Sequence, residues 1–338
     1  MPKTIKDLPN ENLILFDWLT FTSHCDSPES IMELLGLTGV PWELMPKGRN
    51  GYRQRYLFQN ISILFDGQDN MGVCVDMSGQ GCRAFESYST VGWLYLFQTL
   101  LSSVRVAAGN GDYKISRLDM AYDDHTGILD IDVLRDDTDD HLYVSKLHGK
   151  RSNTWMVQYG SAGTTIYHGS PKSNMYIRIY DKAAEQASKS DDPHALEDVH
   201  WIRVEMQMRD EIALGFVQGL MITPVGEQFR GVLHNYLRYV VPTEDTNMSR
   251  WDLAPYWAEL LGGVGKIRCW SAPGVDYTLW DLSNYVINQS GNAVETYLYI
   301  FGTEDLIRML GKRSVKLSPK YERLRQQYDR LKEEVQNE

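Results

Sequence analysis

Arg117-Leu118-Asp119-Met120-Ala121-Tyr122-Asp123 is a stretch rich in strand formers with two unlike sides. Side chains alternate across a β-strand, so Arg117, Asp119 and Asp123 share one face while Leu118, Met120 and Tyr122 share the other. The pattern returns twice. In Met175-Tyr-Ile-Arg-Ile-Tyr-Asp-Lys182, the residues Tyr176, Arg178, Tyr180 and Lys182 lie opposite Met175, Ile177 and Ile179. In Trp201-Ile-Arg-Val-Glu-Met-Gln-Met-Arg209, the residues Arg203, Glu205, Gln207 and Arg209 lie opposite Ile202, Val204, Met206 and Met208. Three strands with one apolar side each predict one sheet whose apolar face lies under helices. Their polar sides then converge on a single surface of carboxylates, arginines and tyrosines, a mixture suited to a phosphate site.

Taken singly, each strand has a plainer reading. Arg117 with Asp119, or Arg203 with Glu205, reads equally as an ion pair on a half-exposed sheet, and Tyr180 alone as a packing tyrosine. The coincidence of three strands carries the phosphate reading.

Outward from these strands, Leu13 to Thr22 reads as a strand, Ser27 to Gly36 as a short capped helix, and Tyr52 to Phe65 with Met71 to Ser78 as paired strands. Ser78-Gly-Gln-Gly-Cys82 reads as a tight turn, and Ser89 to Ala107 as a buried helix. A hairpin partner is expected around Thr164 to His168. A short helix is expected over Ala183 to Lys189, and further helices over Glu211 to Leu220, Pro224 to Tyr239 and Leu253 to Leu261. The fold class is α+β: a curved, mainly antiparallel sheet with helices packed on one face, in two successive sheet-bearing halves. The expected domains are residues 1–110, a catalytic domain over 111–317 with a helical later part, and a basic helix over 318–338.

The 338 residues carry a net charge of −11, which disfavours a polyanion partner if taken as a whole. Patterning matters more. Between Lys146 and Lys182, six basic residues face only Asp181, and between Arg308 and Lys332, nine face only Glu322 and Asp329. Cys25, Cys74, Cys82 and Cys269 form no Cys-x-x-Cys pair, so neither a zinc site nor a disulfide framework is expected. No apolar leader or membrane-length run is visible, and a cytoplasmic protein with no membrane partner is expected. No phosphate-binding loop of the Gly-x-x-x-x-Gly-Lys-Ser/Thr type occurs, which disfavours a nucleotide-hydrolysing enzyme.

Arg117-Leu-Asp119 with Asp123, Thr165-Ile-Tyr-His-Gly-Ser-Pro-Lys-Ser173, Arg178-Ile-Tyr-Asp-Lys182 and Arg203-Val-Glu205 resemble, in order and spacing, the motifs of the Rep_trans family. These are replication initiators of Gram-positive rolling-circle plasmids, with related phage initiators and conjugative relaxases. Asp17-Trp-Leu-Thr-Phe-Thr22 and Asp76 to Arg83 also resemble segments of that family, so the likeness spans roughly residues 17–209. It implies a nick at an origin, a covalent 5′-phosphotyrosine and a free 3′-OH primer. Carried over by motif, Tyr180 is the nucleophile, with Tyr176 as the alternative two residues away. Asp119 and Glu205, with Asp123 third, would hold Mg²⁺ or Mn²⁺. Arg178, Lys182 and Arg203 would hold phosphate; Arg117, Arg209, Lys172 and Arg151 are further candidates for contact with DNA. The implied partners are origin DNA, a host helicase and a second copy of the chain in a dimer.

His168 departs from the family pattern. It reads either as an added metal ligand or as an exposed polar substitution. No His-hydrophobic-His motif is present, which argues against the other large class of rolling-circle nickases. The competing readings are a relaxase of an integrative conjugative element with the same chemistry, and a catalytically silent DNA-binding regulator.

Overall fold

The computed structural model describes residues 11–101, 113–147, 155–160, 163–189, 198–265 and 291–311, with isolated positions 196, 286 and 325. The boundary expected near residues 108–112, Arg151, and all but Arg325 of the helix expected over 318–338 lie outside the described residues.

Strands β1 (Leu13–Ser23), β2 (Glu43–Met45), β3 (Gln54–Phe58), β4 (Ile61–Phe65) and β5 (Val73–Ser78) come from the first hundred residues. They join β6 (Tyr113–Asp124), β8 (Trp155–Gly160), β9 (Gly163–Gly169), β10 (Met175–Asp181) and β11 (Ile202–Arg209) in one ten-stranded sheet. The order is β2-β3-β4-β5-β1-β6-β11-β10-β9-β8, and every pairing is antiparallel. The two expected halves therefore meet along a single seam, the β1–β6 pairing. Short strands β7 (Tyr143–Ser145), β12 (Leu237–Val241) and β13 (Asp252–Leu253) make a separate three-stranded sheet.

Helices follow the polarity of the sheet. After α1 (Pro28–Leu34), α3 (Trp93–Leu101) brings Trp93 and Phe97 against Phe16 of β1, and Phe85 of α2 (Gly79–Tyr88) packs on Trp93. Next come α4 (Ile131–Asp139) and α5 (Lys182–Ala187); α6 (Asp210–Gly219) and α7 (Val225–Tyr236) cover β6, β11 and β1, with Phe229 stacked on Tyr122. Then come α8 (Pro255–Leu261) and α9 (Gly291–Gly311), the latter interrupted at Gly302. Leu118, Met120, Ile177, Ile179, Val204 and Met206 have no exposed surface. Each such side chain is worth about 1.5–3 kcal/mol. A one-residue slip of any of these strands would turn that set outward and its charges inward, so the register is firmly fixed. Among the described residues, no helix is long and apolar enough to cross a membrane.

Three expectations need correction. The glycine turn at Ser78–Cys82 is the start of α2. A Cβ on Gly79 would meet Asp17 Oδ1 at 2.6 Å and one on Gly81 the Asn60 carbonyl oxygen at 2.4 Å. These glycines serve close packing inside a helix rather than reversal of the chain. The run from Tyr52 to Phe65 is two strands that fold back at Gln59, whose φ is 50°. The helix expected to reach Tyr239 ends at Tyr236, and Leu237-Arg-Tyr-Val-Val241 continues as β12.

Candidate active site

The three strands that opened the sequence reading are adjacent: β11 lies between β6 and β10. Register places Arg178 opposite Glu205, Tyr180 opposite Arg203, and Arg203 opposite Asp123. Glu205 pairs with Ala121, so Asp119 and Asp123 flank it diagonally on the same face. The expected convergence of polar sides is what the sheet delivers.

Each carboxylate there has a guanidinium. Arg203 grips Asp123 with a fork, Nε to Oδ1 at 2.6 Å and Nη2 to Oδ2 at 2.7 Å, and its third nitrogen reaches Asp17 Oδ1 at 3.0 Å. Arg117 grips Asp119 the same way at 2.9 and 2.5 Å, with its guanidinium 4.1 Å above the Trp18 ring. Arg178 donates to Glu205 Oε1. Asp17 arrives by a bulge. β1 pairs Phe16 with Met120 and Trp18 with Asp119, leaving Asp17 as the extra residue, and this puts Asp17 and Trp18 on the same side of the strand. Four carboxylates (Asp17, Asp119, Asp123 and Glu205) thus stand against three guanidiniums. Asp119 is the carboxylate most affected by its burial. Burial pushes its carboxyl up, Glu205 adds to the effect, and Arg117 only partly offsets them, leaving a value of about 7.

Tyr180 faces this cluster. Its hydroxyl donates to Glu205 Oε2 at 3.3 Å, and burial, reinforced by the Glu205 charge, keeps the phenol well above the ordinary tyrosine range. Tyr180 lines an open cleft of about 870 Å³ together with Arg117, Arg178, Arg203, Asp123, Glu205 and Lys182. Tyr176 does not line it. Tyr176 is buried and stacked on Tyr167 with ring centroids 5.8 Å apart. Burial pushes its phenol up to about 12. Lys182 sits one residue past the end of β10, as the first residue of α5, with Nζ 2.5 Å from Glu185 Oε2 and 5.5 Å from the Tyr180 ring centroid.

Other expected residues stand apart. Arg209 pairs across the sheet with Arg117 at the far end of β11 and does not line the cleft. Lys172 lies in the β9–β10 turn, at the opposite end of that hairpin from the Thr165–Tyr180 pair. Among the described residues, no three His, Cys, Asp or Glu side chains gather closely enough to hold a metal ion. The three carboxylates do not stand as an open set: Arg203 takes both oxygens of Asp123, Arg117 takes both of Asp119, and Glu205 is shared between Arg178 and Tyr180. His168 is neither exposed nor near the carboxylates. It points to the apolar face, fully buried, with Nε2 2.9 Å from the Tyr239 hydroxyl, and burial drives its imidazole down to about 3.

Sequence reasoning did not select Asp17, Glu185 or Trp201 for the site, although all three line the cleft. Asp17 stood in a quoted motif, but strand alternation cannot reveal a bulge. Glu185 enters through the short helix α5, which carries no strand alternation, whereas Trp201 shares the alternating face of Arg203 and Glu205 and could have been found by it.

With this geometry in view, comparison with known proteins is direct. Residues 113–310 match the family model "Replication initiation factor" (Rep_trans), and residues 13–99 match "Rolling Circle replication initiation protein N-terminal domain". The chain is 29% identical over 280 residues to the putative DNA relaxase NicK of Bacillus subtilis (strain 168), covering 80% of this chain and 76% of that protein. It also resembles the solved rolling-circle replication initiator protein of Geobacillus stearothermophilus, with a TM-score of 0.61, 29% identity, and coverage of 77% of this chain and all of that one. Because the first of these models spans more than half of the sequence and coincides with the strands that build the cleft, the chain belongs to the Rep_trans family of replication initiation factors.

Proposed function

We propose that this protein initiates rolling-circle replication by nicking origin DNA with Tyr180, which becomes joined to the 5′ phosphate and leaves a 3′-OH primer. The observation that carries the reading is the Tyr180 hydroxyl on Glu205, at the floor of a cleft walled by Arg117, Arg178 and Arg203. The phenol stays protonated at neutral pH, so attack needs a base at the hydroxyl, and Glu205 is the carboxylate in contact with it. The guanidiniums supply forked donors for phosphoryl oxygens. The covalent bond stores the phosphate, so attack by a 3′-OH reseals the strand, and the enzyme acts as both nickase and strand-transferase.

Asp119 and Glu205 are the residues that would hold Mg²⁺ or Mn²⁺. Their oxygen donors suit a hard divalent ion, and the two carboxylates lie close enough for the Glu205 charge to act on Asp119. Bound there, it would polarise the scissile phosphate. Asp123, which lines the cleft, would be the third ligand, and an ion there would displace the Arg117 and Arg203 forks from their carboxylates.

Strand separation falls to a partner helicase, since the sequence has no nucleotide-phosphate loop. We further propose a homodimer, two units meeting near residue 110, and a separate basic helix from residue 318. A second reading, a relaxase of an integrative element, gains from the likeness to a putative DNA relaxase; it uses the same chemistry on different cargo.

The test is a plasmid-library nicking assay with Mn²⁺. The parent protein opens supercoiled DNA and stays on the 5′ end through SDS, and Tyr180→Phe does neither. A parent that neither nicks nor crosslinks, on supercoiled or single-stranded DNA, would make the chain a DNA-binding regulator.

A further inference from the structure

A nick of this polarity has two proton transfers. The Tyr180 oxygen bonds to phosphorus, and its proton passes to Glu205. The P–O3′ bond breaks, its electron pair goes to O3′, and that oxygen leaves as a hydroxyl only if another group gives it a proton. Guanidiniums do not deprotonate in proteins, so Arg117, Arg178 and Arg203 cannot be that group. Among the described residues that line the cleft, Lys182, Lys189, His125 and Tyr167 are the remaining candidates for an acid. The Tyr167 hydroxyl is committed to Gln158 Oε1 at 3.2 Å. Lys189 is 63% exposed, and His125 lies against Trp201 at 5.2 Å.

Resting on the nickase reading above, we propose that Lys182 is the general acid that protonates the leaving 3′ oxygen, held in place by Glu185. Lys182 follows β10 directly, so the register that sets Tyr180 also sets Lys182. Its side chain is only 12% exposed, yet it opens on the cleft. Four groups face it: Tyr180 from β10, Arg203 from β11, Asp17 from β1, and Glu185 from α5, which Lys189 also grips. Burial first, and then the Arg203 charge, hold its ammonium below the ordinary lysine range, while Glu185 and Asp17 act against them. Glu185, drawn down to about 2 by Lys182 and Lys189 against its own burial, stays anionic and fixes the ammonium. In religation the same amine takes the proton from the attacking 3′-OH.

The experiment uses single-turnover cleavage of an oligonucleotide carrying the nick site selected by the library assay. One version has the bridging 3′ oxygen, and one has sulfur in its place. A thiolate leaves without a proton. Lys182→Gln should slow the oxygen substrate by about 10²–10⁴-fold and the sulfur substrate by less than about tenfold, which also shows that the variant is folded. Lys182→Arg keeps the charge but not the acidity and should remain slow on oxygen alone. Glu185→Gln removes a group that raises the Lys182 value, so the alkaline limb of its rate profile should move to lower pH. An equal loss on both substrates overturns the assignment and leaves Lys182 as a phosphate holder. If the parent cleaves neither substrate, the nickase reading itself fails.

Discussion

Two buried polar clusters occupy opposite faces of the ten-stranded sheet, and they are built on different rules. On the cleft side, Asp119, Asp123 and Glu205 are acidic groups bound to the guanidiniums of Arg117, Arg203 and Arg178. On the far side, His168, Tyr239 and Thr138 form a neutral chain, with Tyr239 2.9 Å from His168 and 2.7 Å from Thr138. The neutral network holds no charge to strand, although His168 Nδ1 is buried without a hydrogen-bond partner. A charged one leaves each member stranded when a partner is removed. The charged cluster opens on a cleft and the neutral one is sealed under aromatic rings. On the proposed reading, the acidic and basic cluster carries the chemistry and the neutral network belongs to the scaffold.

The largest expected difference between the two faces is in rate. Glu205→Gln should lower single-turnover nicking by about 10²–10⁴-fold, whereas Tyr239→Phe should leave nicking within about twofold while costing ~1–3 kcal/mol of stability. Equal effects on rate would erase the distinction. Next comes stability. Arg203→Ala leaves Asp123 and Asp17 without their cation and should cost about 3–5 kcal/mol in urea unfolding, as breaking a buried pair does. A loss under about 1 kcal/mol would mean that water repairs the site.

Smaller, but opposite in sign, are the pH effects. The His168 value in the fold is far below its unfolded one, so the unfolded chain gains a proton first on acidification. Stability should fall as pH drops from about 6.5 toward 3, by about 2 kcal/mol at pH 5, and His168→Gln should flatten that slope. Asp119 is the reverse. Its folded value, near 7, lies above the unfolded one, so the fold binds the proton more tightly and stability is lost as pH rises from about 4 to 7. Asp119→Asn should remove that loss. Unfolding free energies measured across pH 4–8 separate the two contributions. Smallest of all, Arg209→Ala and Lys172→Ala should change nicking by less than about threefold, since neither reaches the cleft.

Much of this organisation was legible in the chain. Alternation in three short strands assigned Tyr180, Arg178, Glu205, Arg203, Asp119 and Asp123 to one surface, because period-two burial is a local property. What escaped depends on contacts distant in sequence. The bulge at Asp17 is set by the β1–β6 pairing across a hundred residues. The glycines of α2 look like a turn until Asp17 and Asn60 are seen to press on them. His168 is polar by composition, and only the arrival of Tyr239 from β12 makes it a core residue. The choice between Tyr180 and Tyr176 also lay beyond alternation, since both share a face; Tyr167 stacking on Tyr176 separates them.

The most direct measurement locates the covalent bond. The SDS-stable adduct on a nick-site oligonucleotide can be digested with trypsin and nuclease and read by mass spectrometry. Cleavage after Lys172, Arg178 and Lys182 puts the two tyrosines on different peptides, Ser173–Arg178 and Ile179–Lys182. The structure predicts the nucleotide on Ile179-Tyr180-Asp181-Lys182; its appearance on the Tyr176 peptide would contradict the assignment of the nucleophile.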